Sequence, residues 1–273
     1  MTRLFDPKND QLLRSICLVR DQVPGFSEYP FSIPAIHGLH DLRFDARVTF
    51  FVGDNGSGKS TLVEAIAIAA GFNAEGGSRN FNFHTRRSES DLHKYIRLVR
   101  DVRRPRDGYF LRAESFFNVA TEVDRLGVVD THGGTSLHEQ SHGESFLALA
   151  SNRFGDNGLY ILDEPEAALS PQRQLSLLAI IHRLAAQGTQ FIIATHSPIL
   201  MAYPDAVIYQ LGPKGISTVA YEETEHFQIT RDFLNGRELY FRHLFAELST
   251  DDQEAAKPAT KRSQRKPGGA KRS

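Results

Sequence analysis

The chain has 273 residues, of which 40% are hydrophobic and 24% are charged, and its formal net charge is −1. This balance is ordinary for a soluble globular protein, and the length allows one large α/β domain or two small ones. The single cysteine, Cys17, excludes an intrachain disulfide, and no apolar run approaches the ~20 residues that span a bilayer. We therefore expect a cytoplasmic protein without direct membrane insertion.

Positive charge is concentrated at the C-terminal end. Between residues 257 and 273 the chain carries seven lysines and arginines and no acidic residue. Such a segment buries too little apolar surface to offset the entropy lost on ordering it. The sequence therefore predicts a disordered basic tail at 251–273, after a single domain at 1–250.

The N-terminal part predicts a short-stranded β segment, followed by a strand, a loop and a helix. Residues 15–19 and 31–36 are predicted as short strands on either side of a turn-rich stretch. The apolar run at 47–52 is predicted as a buried strand that ends in a glycine loop. Residues 60–70 have the apolar spacing and the strong helix formers of a helix.

The rest of the chain alternates between helical stretches and apolar, β-favouring stretches. Helices are predicted at 91–101, around 146–150, and at 172–186, 229–234 and 238–248. Strands are predicted at 109–111, 158–162, 190–194, 206–211 and 215–220. Apolar strands that alternate with helices favour a parallel sheet covered on both faces. The predicted fold is a three-layer α/β domain with a mostly parallel central sheet and an antiparallel N-terminal β segment.

A glycine-rich loop follows the strand at 47–52 and matches the phosphate-binding pattern Gly-x-x-x-x-Gly-Lys-Ser. It consists of Gly53, Asp54, Asn55, Gly56, Ser57, Gly58, Lys59 and Ser60, with Thr61 next. The glycines let backbone N–H groups surround phosphate oxygens at the positive end of the following helix. Lys59 can supply a charge to the β- and γ-phosphates, and the Ser60 hydroxyl can ligate Mg²⁺. The loop therefore predicts binding of ATP with Mg²⁺.

Two further strands end in residues that suit the same chemistry. Asp163 and Glu164 follow the strand at 158–162 and fit a metal-holding carboxylate and a water-polarising carboxylate. His196 follows the strand at 190–194, from where it can reach a γ-phosphate. Ligands and catalytic groups gather at the carboxyl ends of parallel strands. We therefore expect these three residues to meet the phosphate-binding loop.

Together these segments resemble the ATP-binding cassette (ABC) ATPases, in which they are called Walker A, Walker B and the switch histidine. Residues 167–171, Ala-Ala-Leu-Ser-Pro, resemble the D-loop of the same family. The sequence around the motifs is most similar to that of the soluble SMC/RecF-like branch, whose members are often labelled AAA family ATPases. The resemblance implies a P-loop NTPase fold and ATP hydrolysis, with Mg²⁺ held by Ser60 and Asp163. It further implies that Glu164 polarises the attacking water while His196 and Lys59 stabilise the phosphates.

The resemblance also implies an ATP-dependent homodimer, because ABC ATPases sandwich ATP between two subunits. The family's signature segment, which closes over the γ-phosphate bound to the opposing subunit, aligns with residues 141–144. Ser141 and Gly143 match the common form of the signature, whereas His142 and Glu144 depart from it. We expect Ser141, Gly143 and Glu144 to contact the nucleotide of the other copy.

The glutamine loop of the family leaves two candidate residues. Arg112 stands where the glutamine is expected, at the end of the strand at 109–111. Glu114 lies two residues further on and could contact Mg²⁺ or water in the same way. The resemblance predicts the loop but does not decide between the two residues.

A second motif competes for the signature segment. His138, Glu139 and His142 match the zinc-protease pattern His-Glu-x-x-His. That chemistry needs both histidines one turn apart within a helix, together with a third ligand. Because Gly143 follows at once, we favour the signature over a zinc site.

The sequence does not decide which kind of partner the predicted ATPase acts with. A nucleotide-binding subunit of an ABC transporter is one, although residues 112–141 leave little room for the helical insert of such subunits. We favour a DNA, RNA or protein partner, with DNA repair or defence as the setting, and an ATP-dependent binding switch with little turnover is a further alternative. A basic stretch before the glutamine loop would suit nucleic acid. It contains Arg86, Arg87, Lys94, Arg97, Arg100, Arg103, Arg104 and Arg106, interspersed with acidic residues. The sequence assigns no role to Glu225 or His226.

Overall fold

The structure is a computed structural model that describes residues 11–78, 90–113, 116, 121 and 142–255. The chain divides into two compact units, residues 1–227 and residues 228–273. The strands are β1 (Leu13–Leu18), β2 (Asp41–Arg43), β3 (Val48–Val52), β4 (Ile96–Arg100), β5 (Gly108–Arg112), β6 (Leu159–Asp163), β7 (Gln190–Ala194), β8 (Val207–Gly212) and β9 (Gly215–Thr218). The helices are α1 (Pro34–His37), α2 (Lys59–Ala69), α3 (His142–Arg153), α4 (Pro171–Ala186), α5 (Pro198–Met201) and α6 (Glu225–Ala255).

The centre of the first unit is a six-stranded sheet in the order β5-β6-β7-β3-β8-β9. Every pair from β5 to β8 is parallel, and β9 returns antiparallel beside β8. The mostly parallel α/β fold predicted from the apolar strands is therefore confirmed. This strand order brings the carboxyl ends of β5, β6, β7 and β3 side by side.

The central sheet has an apolar core on each face, because alternate side chains of its strands point to opposite sides. Phe50, Tyr160 and Phe191 pack on one face with apolar residues of α3 and α4. Ile161 and Ile192 pack on the other face with α2 and with the N-terminal part of the chain. Strands that are buried on both faces read as continuous apolar runs, which is why they were recognisable in the sequence.

A second, three-stranded sheet in the order β2-β1-β4 contributes to the core on the α2 side. β1 is antiparallel to both neighbours, which confirms the predicted antiparallel N-terminal segment. The prediction of a helix at 91–101 is wrong, because residues 91–94 form one 3-10 turn and β4 follows. Along β4 Ile96 is buried, whereas Val99 is 44% exposed, so the two do not share a buried helix face. Backbone pairing with the distant β1 overrides the local helical spacing.

The strand predicted at 31–36 is also wrong, because α1 begins at Pro34. Proline has no N–H to donate to a sheet, whereas its fixed φ suits the first turn of a helix. Ala35 and Ile36 are fully buried, so the apolar character of the stretch was interpreted correctly and its backbone conformation was not.

The C-terminal region is helical on both sides of a kink at Gly236, in agreement with the two helices predicted at 229–234 and 238–248. α6 runs over Glu225–Ala255, and Gly236 interrupts it with a non-helical φ of −141°. Within the second unit the rings of Phe233, Tyr240, Phe241 and Phe245 contact one another along the helix. None of the helices in the described part of the chain is long and apolar enough to cross a bilayer. The tail was predicted as disordered from residue 251, but α6 continues through residues 251–255, so the boundary was placed too early. The rest of the predicted tail, from residue 256 onward, lies outside the described residues.

One buried side chain ties the two sheets together. Gln190, at the start of β7, has no exposed surface. Its Oε1 accepts the N–H of Leu13 at 2.8 Å, and its Nε2 donates to the carbonyl of Leu13 at 2.9 Å. The amide thus acts as a peptide-like partner for β1, next to the irregular register between Leu13 and Ser15.

Replacing Gln190 with leucine should therefore destabilise the fold. The change leaves the N–H and the carbonyl of Leu13 buried without these partners, and we expect the free energy of unfolding to fall by about 3 kcal/mol. Urea titration followed by circular dichroism measures this value. Gln187→Leu is the matched control, because Gln187 is exposed at the end of α4. Equal stability of the two variants would contradict the link between the sheets.

Candidate functional site

The loop between β3 and α2 has the backbone that its glycines predict. Gly53, Gly56 and Gly58 all have positive φ angles, of 142°, 79° and 99°. A Cβ on Gly58 would lie 2.9 Å from Cγ2 of Ile33, and a Cβ on Gly53 would collide with the carbonyl oxygen of Leu211. The loop therefore combines a left-handed backbone with close packing, and both require glycine at these positions. Residues 54–56 at its tip are exposed.

Lys59 lies at the first position of α2 and folds back over the loop. Its side chain is buried, and its Nζ donates to the carbonyls of Gly53 at 2.8 Å and Asp54 at 3.0 Å. Burial lowers the pKa of the Lys59 ammonium, and the carboxylates of Glu164 and Asp163 oppose this shift. The loop therefore holds a cation close to both carboxylates predicted for the site.

The sheet register brings the predicted strand-end residues together. Arg112 pairs with Asp163 across β5 and β6, and Asp163 pairs with Ala194 across β6 and β7. Glu164 follows in the left-handed region with φ 51°, and its N–H donates to the carbonyl of Ala194 at 2.9 Å. Such strained positions in non-glycine residues cluster at functional sites, because the surrounding structure must hold them.

Arg112 forms ion pairs with two carboxylates. Its Nη1 lies 2.6 Å from Oε2 of Glu64, and its Nε lies 3.5 Å from Oδ2 of Asp163. Glu64 also accepts the N–H of Ser90 at 3.1 Å. Of the two candidates for the glutamine loop, Arg112 forms an ion pair with Asp163, the carboxylate predicted to hold Mg²⁺. Glu114 lies outside the described residues. The sequence analysis missed Glu64, whose signal is an acidic residue within the apolar run of α2.

His196 lies beyond β7, with its ring between a carboxylate and a second histidine. Its Nε2 is 3.5 Å from Oε1 of Glu164, and its Nδ1 is 3.0 Å from Nε2 of His226. Its backbone N–H donates to Oε1 of Glu166 at 2.5 Å. Burial and the nearby Lys59 lower the pKa of the His196 imidazole, while burial raises the pKa of Glu166. Glu166 and His226 were both missed, since neither stands in a recognisable motif.

The loop that carries His196 is fixed by hydroxyl groups on both sides. Thr195 is fully buried, and its Oγ1 accepts the N–H of Ser197 at 3.0 Å. The Ser197 hydroxyl accepts the N–H groups of Ile199 and Leu200 and so caps α5. It also donates to Oε1 of Gln174 on α4 at 2.5 Å. These contacts hold the backbone on each side of His196.

Gly143 and Glu144 of the predicted signature lie at the start of α3, next to Arg173 of α4. Oε1 of Glu144 is 2.9 Å from Nη2 of Arg173. A Cβ on Gly143 would lie 2.7 Å from Nη1 of the same arginine, so a larger residue would force it to move. Ser141 lies outside the described residues, as do His138 and Glu139 of the zinc-protease pattern. The choice between signature and zinc site therefore stays a prediction.

The residues of the site fit a nucleotide triphosphate with its divalent cation. The glycine loop leaves the space beside Gly56 open, with no atom within 4 Å of where its Cβ would stand. Within the described part of the chain, the buried Ser57 Oγ and His196 Nε2 have no hydrogen-bond partner. Hydroxyl and carboxylate oxygens such as those of Ser60 and Asp163 are the ligands that Mg²⁺ prefers. Thr61, beside Ser60, is 3.2 Å from the hydroxyl of the exposed Tyr29.

Two family models match the chain. One is described as an AAA domain and covers residues 32–131. The other, an AAA domain whose description refers to the AbiEii toxin and a type IV TA system, covers residues 125–202. Together they include the phosphate-binding loop, Asp163, Glu164 and His196.

Two relatives have similar sequences over most of the chain. The xylose import ATP-binding protein XylG of Moorella thermoacetica is 24% identical over 231 residues, which are 76% of this chain and 45% of that protein. The energy-coupling factor transporter ATP-binding protein EcfA2 of Leuconostoc mesenteroides is 24% identical over 183 residues, or 60% of this chain and 64% of that protein. The chain therefore spans less than two thirds of the length of either relative.

Two solved structures are similar to the chain at low identity. A nucleotide-free ATP-binding cassette from an ABC transporter has a TM-score of 0.47 and 17% identity, over 84% of this chain and 98% of that one. The SMC head domain from Thermotoga maritima has a TM-score of 0.42 and 18% identity, over 77% of this chain and 98% of that one. At these scores neither likeness carries weight for the function.

The ion pairs of Arg112 generate a prediction about stability without nucleotide. Arg112→Leu removes the ion pairs of the buried Glu64 and Asp163 with Arg112, so we expect the free energy of unfolding to fall by about 3–5 kcal/mol. The double variant Glu64→Leu/Arg112→Leu should recover part of this loss. Urea titration in buffer with a metal chelator measures both changes.

Lys94→Met provides the control for the Arg112 prediction. Lys94 forms a 2.7 Å ion pair with Asp91, in which both side chains are more than half exposed. An exposed pair contributes roughly 0–1 kcal/mol. If Arg112→Leu lowered the free energy of unfolding no more than Lys94→Met does, the buried ion pairs of Arg112 would be contradicted.

Proposed function

From its membership of the ABC-type P-loop ATPases, we infer that this chain binds ATP with Mg²⁺ and hydrolyses it. The observation that supports this best is that the residues after β3, β6 and β7 lie together at one edge of the sheet. Lys59 is buried in the phosphate-binding loop, Asp163 is the last residue of β6, and Glu164 follows it. His196 presents a buried nitrogen 3.5 Å from Glu164.

Each residue at this edge has a role that follows from its chemistry. The backbone N–H groups of the glycine loop and the Lys59 ammonium bind the phosphates. Ser60 and Asp163 would hold Mg²⁺, which neutralises charge on the phosphate oxygens when bound. Glu164 orients and polarises the attacking water, and His196 donates a hydrogen bond to the γ-phosphate as its charge increases.

The site is completed by a second copy of the chain. Ser141, Gly143 and Glu144 of that copy would close over the γ-phosphate, as the resemblance implies. The side chain of Glu144 is 55% exposed at the start of α3, which leaves it accessible to another molecule. ATP binding would favour the dimer and hydrolysis would release it.

The dimer couples hydrolysis to a DNA, RNA or protein partner. β4 is an edge strand of the antiparallel sheet, and its arginines Arg97 and Arg100 are exposed. The charge is mixed, however, because Arg103 on the following turn is paired with Asp101. This balance suits either a nucleic acid or an acidic protein surface.

A transporter subunit is the second candidate, because the relatives XylG and EcfA2 are an import and a transporter ATP-binding protein. The basic stretch before residue 112 favours the first candidate. An ATP-dependent switch with little turnover is the remaining alternative.

Glu164→Gln tests the catalytic role. The amide keeps the shape of the side chain but is a poor base, so we expect ATP turnover to fall by about 10²–10⁴-fold. ATP affinity should be retained, and dimers should accumulate with ATP. Phosphate release measures turnover, a fluorescent ATP analogue measures affinity, and light scattering measures dimers. Glu238→Gln, on the exposed face of α6, is the matched control.

The same assays with and without DNA separate the candidates. Turnover that DNA stimulates in the wild type but not in Glu164→Gln would support the nucleic-acid partner. Basal turnover indifferent to DNA and RNA would favour a protein partner or a transporter subunit. Absence of turnover in the wild type would overturn hydrolysis and leave the binding switch.

A further inference from the structure

We propose that His226 is a positioning residue that holds His196 in the tautomer carrying its hydrogen on Nε2. This assignment rests on the proposed function, since the Nε2–H of His196 is the group that would donate to the γ-phosphate. It gives a role to a histidine that lies 30 residues beyond the switch histidine and in no recognised motif.

The two rings share one hydrogen bond. Nδ1 of His196 lies 3.0 Å from Nε2 of His226, with the ring centroids 5.1 Å apart and the planes inclined at 56°. In a neutral imidazole one nitrogen donates and the other accepts. The bond therefore requires one ring to present a hydrogen and the other a lone pair.

The position of Glu164 indicates which ring donates in this bond. Its Oε1 is 3.5 Å from Nε2 of His196, and an ionised carboxylate can only accept a hydrogen bond. The hydrogen of His196 is therefore favoured on Nε2, where Glu164 or a phosphate oxygen can accept it. Nδ1 of His196 is then the acceptor, and Nε2–H of His226 is the donor.

Burial is the main influence that favours the neutral form of both rings. Burial lowers the pKa of both imidazoles, and the Lys59 ammonium at the start of α2 adds to the shift. Asp54 in the phosphate-binding loop opposes the shift for both rings, as do Glu164 for His196 and Glu225 for His226. Neutral rings are the form in which one tautomer can be selected by a neighbour.

The segment that carries His226 is attached to the loop that carries His196. The hydroxyl of Tyr221 donates to the carbonyl of Pro198 at 3.0 Å, two residues beyond His196. The buried Thr224 donates to the carbonyl of Tyr221 at 2.7 Å and accepts the N–H of Phe227 at 3.4 Å. The rings of Tyr221 and Phe227 also contact each other, with centroids 4.6 Å apart. These contacts do not involve the two histidine rings, so the fold itself brings the rings together.

The first test measures the tautomer without relying on turnover. In the full chain labelled with ¹⁵N, the ring nitrogen shifts of His196 report which nitrogen carries the hydrogen. We expect Nε2 protonation in the wild type and a mixture of tautomers in His226→Leu. Nδ1 protonation in the wild type, or an unchanged pattern in His226→Leu, would overturn the proposal. This readout is informative even if the wild type does not hydrolyse ATP, so the two proposals fail separately.

The second test uses the steady-state parameters for ATP. His226→Leu removes the donor, and we expect kcat to fall about 10-fold, the effect of losing one hydrogen bond near a charged group. KM should change by less than about 2-fold, because binding rests mainly on the phosphate-binding loop. His226→Gln keeps an N–H donor and should recover most of kcat. Equal kcat in His226→Leu and His226→Gln, or kcat in His226→Leu within 2-fold of the wild type, would contradict the role.

His182→Leu is the matched control for both tests. His182 lies on α4, where its Nδ1 is 3.2 Å from the hydroxyl of Tyr203. The control should leave both kcat and the His196 ring shifts unchanged. Thermal unfolding of each variant establishes that the samples compared are folded. If His182→Leu changed kcat and the His196 ring shifts as much as His226→Leu does, the role assigned to His226 would be contradicted.

Discussion

The parallel pairing of β5, β6, β7 and β3 is the constraint on which the site depends. Asp163 lies at the end of β6, and the ladder places it between Arg112 on β5 and Ala194 on β7. The phosphate-binding loop follows β3, the next strand of the sheet. Residues far apart in the chain thus meet because parallel strands end at the same edge. The two apolar cores hold the sheet rigid beneath them.

Charge balance is the second property of this edge. The cations Lys59 and Arg112 lie among the carboxylates of Glu64, Asp163 and Glu164, and several of these groups are buried. Burial weakens the screening of each charge, so every cation has a strong effect on its neighbours. An added phosphate chain with its divalent cation would enter a site that already contains charges of both signs. Arg112 is a permanent cation at a position where the resemblance to the ABC ATPases predicts a neutral glutamine.

The histidine pair shows how backbone anchoring supports the site. Glu166 accepts the N–H of His196, while Tyr221 is bonded to Pro198 in the same loop. The ring of His196 therefore lies between Glu164 and His226, although the contacts that hold its backbone come from other residues. Side chains with no motif of their own can in this way control a side chain that has one.

The sequence by itself determined the residues whose chemistry depends on local order: the glycine loop with Lys59, the Asp163–Glu164 pair and His196. Each follows an apolar strand, and such strands are recognisable because both of their faces are buried. Only the tertiary structure decided that Arg112 contacts Asp163, and that Glu64 and His226 belong to the site. These contacts join residues distant in the chain, and no local pattern encodes them. The same reason explains β4, where pairing with β1 prevailed over a helical spacing.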